Sequence, residues 1–174
     1  MATFKAKNFS KCDSYMTPKS AWENVKHLIP TNKIIWESAY GDGSSGKHLQ
    51  ELLPNNTIIH RNIDYFIEEP TEWDLQITNI PFSKKKEWIT RGVELNKPFM
   101  IIMPCSALTT LWFRSIILSL ENQNDLQIII PRKRIHFVKK TNGIIPSNWR
   151  SSCNFDCFYY CYKFNLDKSM NWLI

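Results

Sequence analysis

Five short runs of apolar residues recur along the chain without the in-and-out alternation of a half-exposed sheet: 33–37 (KIIWE), 57–60 (TIIH), 75–78 (LQIT), 99–103 (FMIIM) and 126–130 (LQIII). Strands that are apolar throughout are buried on both faces, and that burial needs a layer of helices on either side of a mostly parallel sheet. The intervening segments 20–29, 47–53, 84–95 and 108–120 read as those helices. The first sets Ala21, Val25, Leu28 and Ile29 at helical spacing. A short strand is expected over 63–67, and a last one, alternating in pattern, over 155–164. In such α/β sheets ligands bind beyond the carboxyl ends of the strands, where the strand order reverses. Two loops compete for that place, 38–46 and 79–83.

With 174 residues, no internal repeat and no linker-like stretch, the chain is expected to form one domain, preceded by a loose lysine-rich arm over 1–12. No run of about 18 apolar residues is present, which argues against a membrane span, and the start lacks the apolar core of a secretory signal. Five cysteines, at 12, 105, 153, 157 and 161, are odd in number and lack paired spacing. Reduced thiols in an intracellular compartment, cytoplasm or viral factory, are the expectation. Cys153, Cys157 and Cys161 fall among aromatic residues of a strand and read as small buried thiols, with no metal site. His27, His48, His60 and His136 form no close pair. Trp22, Trp36, Trp88, Trp112 and Phe113 read as core.

The charge is lopsided. The first 87 residues balance, so the whole net charge of +6 lies in residues 88–174. No acid occurs between Asp125 and Asp156, where Arg132, Lys133, Arg134, Lys139, Lys140 and Arg150 stand. One-sided basic charge suits a polyanion. A solvated loop would show the same composition.

Residues 41–48 (GDGSSGKH) fit three patterns. As Gly-x-Gly-x-x-Gly they match a dinucleotide fingerprint, with Asp64 as a ribose acid. As Gly-x4-Gly-Lys they approach a phosphate-binding loop, but His48 stands where a magnesium-holding hydroxyl belongs. Read from Glu37, an acid at a strand end followed by a glycine turn suits S-adenosylmethionine, whose ammonium needs a carboxylate and whose amino-acid end needs close backbone approach. A plain glycine-rich turn that binds nothing is the fourth possibility.

The second loop, Asn79-Ile80-Pro81-Phe82, separates these readings. Neither a dehydrogenase nor a phosphate-binding loop requires Asn-x-Pro-aromatic after a strand. Methylation of a planar amino nitrogen does. The lone pair of such an amine is delocalised into its ring. Two acceptors on its N–H groups draw the nitrogen toward tetrahedral geometry and stabilise the charge that develops. The side-chain oxygen of Asn79 and the carbonyl of Ile80 are the two acceptors, and Phe82 offers a stacking face for an extruded base.

With these motifs in order, the chain resembles the small Dam-like N6-adenine DNA methyltransferases of phages and large DNA viruses, Rossmann-fold enzymes that use S-adenosylmethionine. The resemblance covers about 13–164. It implies a mostly parallel sheet with an antiparallel strand near the C-terminus and helices on both faces. It implies that Tyr15, Thr17 and Pro18, in an Asp-Ser-Tyr-Met-Thr-Pro element, lie beside the methionine end of the cofactor. Glu37, Ala39, Gly41 and Gly43 would form the cofactor loop, Asn62 would meet the ribose, and Asp64 and Tyr65 would hold the adenine. Asn79 would also touch the cofactor. Asn79, Ile80, Pro81 and Phe82 would be catalytic, with no metal. Lys84, Lys85, Arg132, Lys133, Arg134, Lys139, Lys140 and Arg150 would contact DNA, and 131–137 would face the target base.

Two departures stand out. Ile80 replaces a proline that would stiffen Asn79, and Arg61-Asn62 stand where an acid often binds the ribose. The residues after Phe82 are needed by the fold, so no separate target-recognition domain is expected, and sequence reading falls to loops or to a homodimer on DNA. Two other readings stay open: a catalytically weak or silent nucleic-acid-binding subunit, and an acceptor nitrogen in RNA or in a protein glutamine.

Overall fold

The structure, a computed structural model, describes residues 15–139, 145 and 155–173. The expected strands form at β2 (Ile34–Trp36), β3 (Thr57–Ile59), β4 (Leu75–Asn79), β5 (Phe99–Pro104), β6 (Leu126–Ile130) and β8 (Cys157–Tyr162). Three short strands were not legible as apolar runs: β1 (Tyr15–Met16), β7 (Val138–Lys139) and β9 (Met170–Trp172). The helices are α1 (Lys19–Glu23), α2 (Ser44–Leu52), α3 (Lys85–Glu94) and α4 (Leu111–Ser119). No helix among the described residues is long and apolar enough to cross a membrane.

Seven strands form one sheet in the order β3-β2-β4-β5-β8-β6-β9, and β1 pairs with β7 in a separate ribbon. Strands β2 to β5 run parallel, β8 runs against both β5 and β6, and β9 is parallel to β6. The mixed α/β sheet with one reversed strand late in the chain is as expected. From β2 the chain passes to β3 on one side, whereas from β4 it passes to β5 on the other. The strand order therefore reverses between β2 and β4, and a crevice opens at their carboxyl ends.

Strand β8 corrects the expectation of alternation. Five of its six residues are buried because it lies in the interior of the sheet. Successive side chains leave a strand on opposite faces. The Tyr159 hydroxyl donates to the Ala21 carbonyl of α1 at 2.6 Å, while the Tyr160 ring meets Phe113 of α4 edge-on at 5.4 Å. Helices therefore cover both faces. Trp22, Trp36, Ile77, Ile101 and Phe113 sit in this core as expected, and Trp88 is buried beside them. Cys157 and Cys161 are buried and Cys105 is half-buried, and none of the three is in a disulfide. Cys12 and Cys153 lie outside the described residues.

The strand expected over 63–67 is a turn. Asp64 makes it: its Oδ1 accepts from the Phe66 amide at 2.9 Å, and its carbonyl accepts from the amides of Ile67 and Glu68 at 3.0 and 2.9 Å. An aspartate that captures the amide two residues on offers the backbone an alternative to a ladder.

Candidate active site

The two loops do not compete; they line one cleft of about 450 Å³ at the crevice between β2 and β4. Its walls are 15–17 from the start of the described chain, 37–42 after β2, 62–66 after β3 and 79–84 after β4. Tyr15, Thr17, Glu37, Ala39, Gly41, Asn62, Asp64, Tyr65, Asn79, Ile80, Pro81, Phe82 and Lys84 are all brought together there. Pro18 and Gly43 are not among the lining residues, because each caps a helix: Pro18 precedes α1 and Gly43 precedes α2.

Gly41 and Gly43 adopt φ of +55° and +83°, left-handed values that glycine reaches at little cost. The Gly43 amide donates to the Tyr40 carbonyl at 2.9 Å, which closes the turn. Asp42 Oδ1 then accepts from the Ser44 amide at 3.0 Å and from its hydroxyl at 2.5 Å. That occupies a donor in the first turn of α2 that a phosphate-binding loop would leave for its ligand. Lys47 is exposed and does not line the cleft. The phosphate-loop reading therefore lacks both of its contacts.

Gly46 serves packing. A Cβ there would lie 2.1 Å from Nδ1 of His60, inside the imidazole. His60 follows β3, stacks on the Tyr40 ring at 4.8 Å and sets Nε2 2.5 Å from Glu37 Oε2. With His60 protonated the contact is a buried ion pair. The other oxygen of Glu37 accepts from the Thr78 hydroxyl at 2.7 Å, and that hydroxyl accepts from the Ala39 amide at 3.1 Å. Glu37 has no exposed surface. Its carboxylate braces the glycine loop against the strand that carries Asn79, and both oxygens already face Thr78 and His60. The role of His60 is hidden in the sequence because no second histidine lies near it. Its position just after an apolar strand, facing a helix that begins with small residues, is the available signal.

Burial pushes the Glu37 carboxyl above its ordinary range, with His60 and Thr78 opposing. Burial alone would hold the His60 imidazolium down, but the Glu37 carboxylate overrides it and the net shift is upward. His60 therefore keeps, as an imidazolium facing the Glu37 carboxylate, a proton that the unfolded chain has released. The stability this contributes is complete below the ordinary value of 6.5 and is lost as pH rises through the raised folded value. Melting temperature is expected to fall as pH rises above about 6.5. The double variant Glu37→Gln/His60→Gln should flatten that slope, as thermal scans against pH would show.

Asn79 ends β4 at the head of the cleft, and its Oδ1 is buried with no hydrogen-bond partner. Ile80 directs its side chain into the core at 3 % exposure, where the ring of a proline would fill less space. Phe82 corrects an expectation. It is 2 % exposed and lies perpendicular to Phe137 and Phe155 at 5.9 and 5.5 Å, so it offers no open face for a base. Tyr65 is likewise floor: it stacks flat on Trp88 with centroids 3.8 Å apart. Half-buried Phe66, which follows Tyr65 in the Asp-aromatic motif, presents the cleft with an aromatic ring less deeply buried, with Lys84 Nζ 5.5 Å above it.

The basic residues divide. Lys84 lines the cleft, and Lys85 Nζ donates to the Phe82 carbonyl at 3.3 Å. Arg134 is taken up by Asp156, with contacts of 2.7 and 3.2 Å, so its charge is balanced locally. Arg132 and Lys133 border a different cavity. Lys139 belongs to β7, while Lys140 and Arg150 lie outside the described residues. Among the described residues no group of three His, Cys, Asp or Glu side chains could hold a metal.

No protein-family model matches the chain, and no curated protein sequence matches it. Among solved structures it is similar to the methyltransferase subunit of a type I restriction-modification system from Streptococcus thermophilus, at 12% identity and a TM-score of 0.54. The likeness covers 91% of this chain and 47% of that one, so the chain spans about half the length of its structural neighbour. At that identity the likeness is one of fold, and the fold is methyltransferase-like.

Proposed function

We propose that the protein is an S-adenosylmethionine-dependent methyltransferase that acts on a planar amino nitrogen of nucleic acid, with N6 of adenine in DNA as the preferred acceptor, along Dam-like lines. The observation that carries the reading is the buried, unpartnered Oδ1 of Asn79, set where a cleft of ligand size meets the glycine loop. A buried acceptor without a donor is costly unless a ligand supplies one. An amine N–H would do so.

The residues present fit the cofactor. Gly41 and Ala39 give close backbone approach, Asn62 and Asp64 are polar groups beside the Phe66 ring, and Thr17 and Tyr15 close the opposite wall. When bound, the cofactor supplies an electrophilic methyl on sulfonium. Asn79 Oδ1 and the Ile80 carbonyl accept from the two N–H groups of the substrate amine and orient its lone pair toward that methyl. The charge that develops on nitrogen is stabilised by the same two oxygens. Its proton passes to water, and no side chain of shifted pKa is required.

The structural neighbour is a restriction-modification methyltransferase subunit, which supports DNA over protein as acceptor, as does the basic second half of the chain. A second reading, a silent nucleic-acid-binding subunit, is favoured by the absence of an open Phe82 face. Calorimetric titration with S-adenosylmethionine, followed by mass spectrometry of nucleosides from DNA and RNA incubated with protein and cofactor, decides between them. Cofactor binding with N6-methyladenine from DNA is expected. Tight binding of ATP or NAD in place of the cofactor would overturn the proposal, and cofactor binding without product would favour the silent subunit.

A further inference from the structure

A second cavity of about 640 Å³ lies outside the cleft, bounded by Asn24, His27, Arg132, Lys133, Trp172 and Leu173. None of the six is an acid. Arg132, Lys133, Asn24 and His27 are all exposed, and Trp172 is 68 % exposed although it belongs to a strand of the main sheet. Trp172 thus sets a large aromatic ring within reach of solvent beside two cations.

The sheet fixes where this cavity stands relative to the candidate active site. Asn79 pairs with Ile102, Ile102 with Tyr159, Tyr159 with Ile129, and Ile129 with Asn171. These residues form one row across the sheet, and Trp172 is one residue past its end. Strands β4, β6 and β9 run the same way, so Trp172 and the Arg132–Lys133 turn emerge at the edge where the cleft opens. Four strand spacings separate β4 from β9, about 19 Å. A few nucleotides of an extended strand reach that far.

We propose that the Arg132–Lys133–Trp172 cavity is a second nucleic-acid subsite, which takes the phosphodiester of a single-stranded segment on its cations and stacks an unpaired base on the Trp172 ring. The inference rests on the nucleic-acid reading of the cleft and extends it. Bases stack on an exposed aromatic without regard to sequence, and cations alongside track the backbone. Asn24 and His27 add hydrogen-bonding groups to the same lining. The cleft at one end and the subsite at the other would hold a strand along the carboxyl edge of the sheet, so that orientation comes from the sheet.

The test is binding of the full chain to a short fluorescein-labelled single-stranded oligonucleotide, read by anisotropy across salt concentrations. Trp172→Ala is expected to weaken binding about tenfold, and Trp172→Phe to restore most of it. The double variant Arg132→Gln/Lys133→Gln should lower the slope of log affinity against log salt by about one. Circular dichroism checks that each variant folds, and the affinity for S-adenosylmethionine should stay within about twofold. Unchanged affinity in Trp172→Ala together with an unchanged salt slope would overturn the subsite. Inorganic phosphate that displaces the oligonucleotide at comparable concentration would also overturn it, by reducing the cavity to a small-anion site. Because the readout is binding, a chain that methylates nothing yet loses oligonucleotide in these variants would remove the methyl-transfer reading and leave the subsite standing.

Discussion

Asn79→Ala is expected to reduce methyl transfer by about a hundredfold to a thousandfold or more while leaving the fold intact. Removing one preorganised group that meets developing charge in a water-poor site costs about 2.7–4 kcal/mol of transition-state stabilisation, and here it is one of only two such acceptors. The effect on stability runs the other way from most buried polar truncations. Those sever a native hydrogen bond. Oδ1 of Asn79 has none in the free protein, so its loss removes an unsatisfied acceptor and the melting temperature should hold or rise slightly. Radiolabelled methyl transfer, calorimetric cofactor titration and a thermal scan measure the three quantities. Transfer that survives, or a melting temperature that drops by several degrees, would show that the amide oxygen has a structural partner and a different role.

Gly46→Ala is expected to destabilise the protein by about 3–5 kcal/mol and lower its melting temperature by about 10 °C. The new methyl would lie 2.1 Å from Nδ1, 2.4 Å from Cγ and 2.7 Å from Cβ of His60. These include the root of the side chain, which no rotamer change moves away. His60 is also held by the Tyr40 ring and by Glu37. Displacing it leaves a fully buried carboxylate without its countercharge, and that loss, added to overpacking, sets the magnitude. Cofactor affinity should fall with it, because the loop that starts at Glu37 loses its brace. Restoring space with His60→Ala in the same chain should recover little, since the carboxylate stays unpaired. Differential scanning calorimetry of the single and double variants separates clash from charge. A single variant within about 2 °C of the parent would refute the packing account.

How much of this was legible depended on whether the signal was local. The interior strands announced themselves as apolar runs, because burial on two faces leaves no room for alternation. Asn79 to Phe82 stood out because the chemistry of a flat amine calls for such groups in that order, and the structure sets all four on the cleft wall, although Phe82 is buried. The strands β1, β7 and β9 could not be read: with two or three residues each, they depend on partners distant in sequence. Residues 63–67 look like a strand by composition, and one carboxylate at Asp64 bends them instead. The glycine motif offered three ligand chemistries, yet its third glycine is explained by a histidine packed on top of it. Arg134 looked free because Asp156 stands 22 residues away along the chain but touches it in space. Tertiary partners of this kind leave no mark on a local window.

Strand β8 carries a further consequence for how the molecule is made. It fills the slot between β5 and β6 but comes after both. During synthesis, two long apolar strands must wait side by side without a bond until residues 157–162 leave the ribosome. Both waiting edges are open templates for another chain. Closure of the sheet is therefore a late, long-range event, slower than the helices around it. A nascent chain stalled before Cys157 should aggregate, and one released after Trp172, where β9 covers the outer edge of β6, should not.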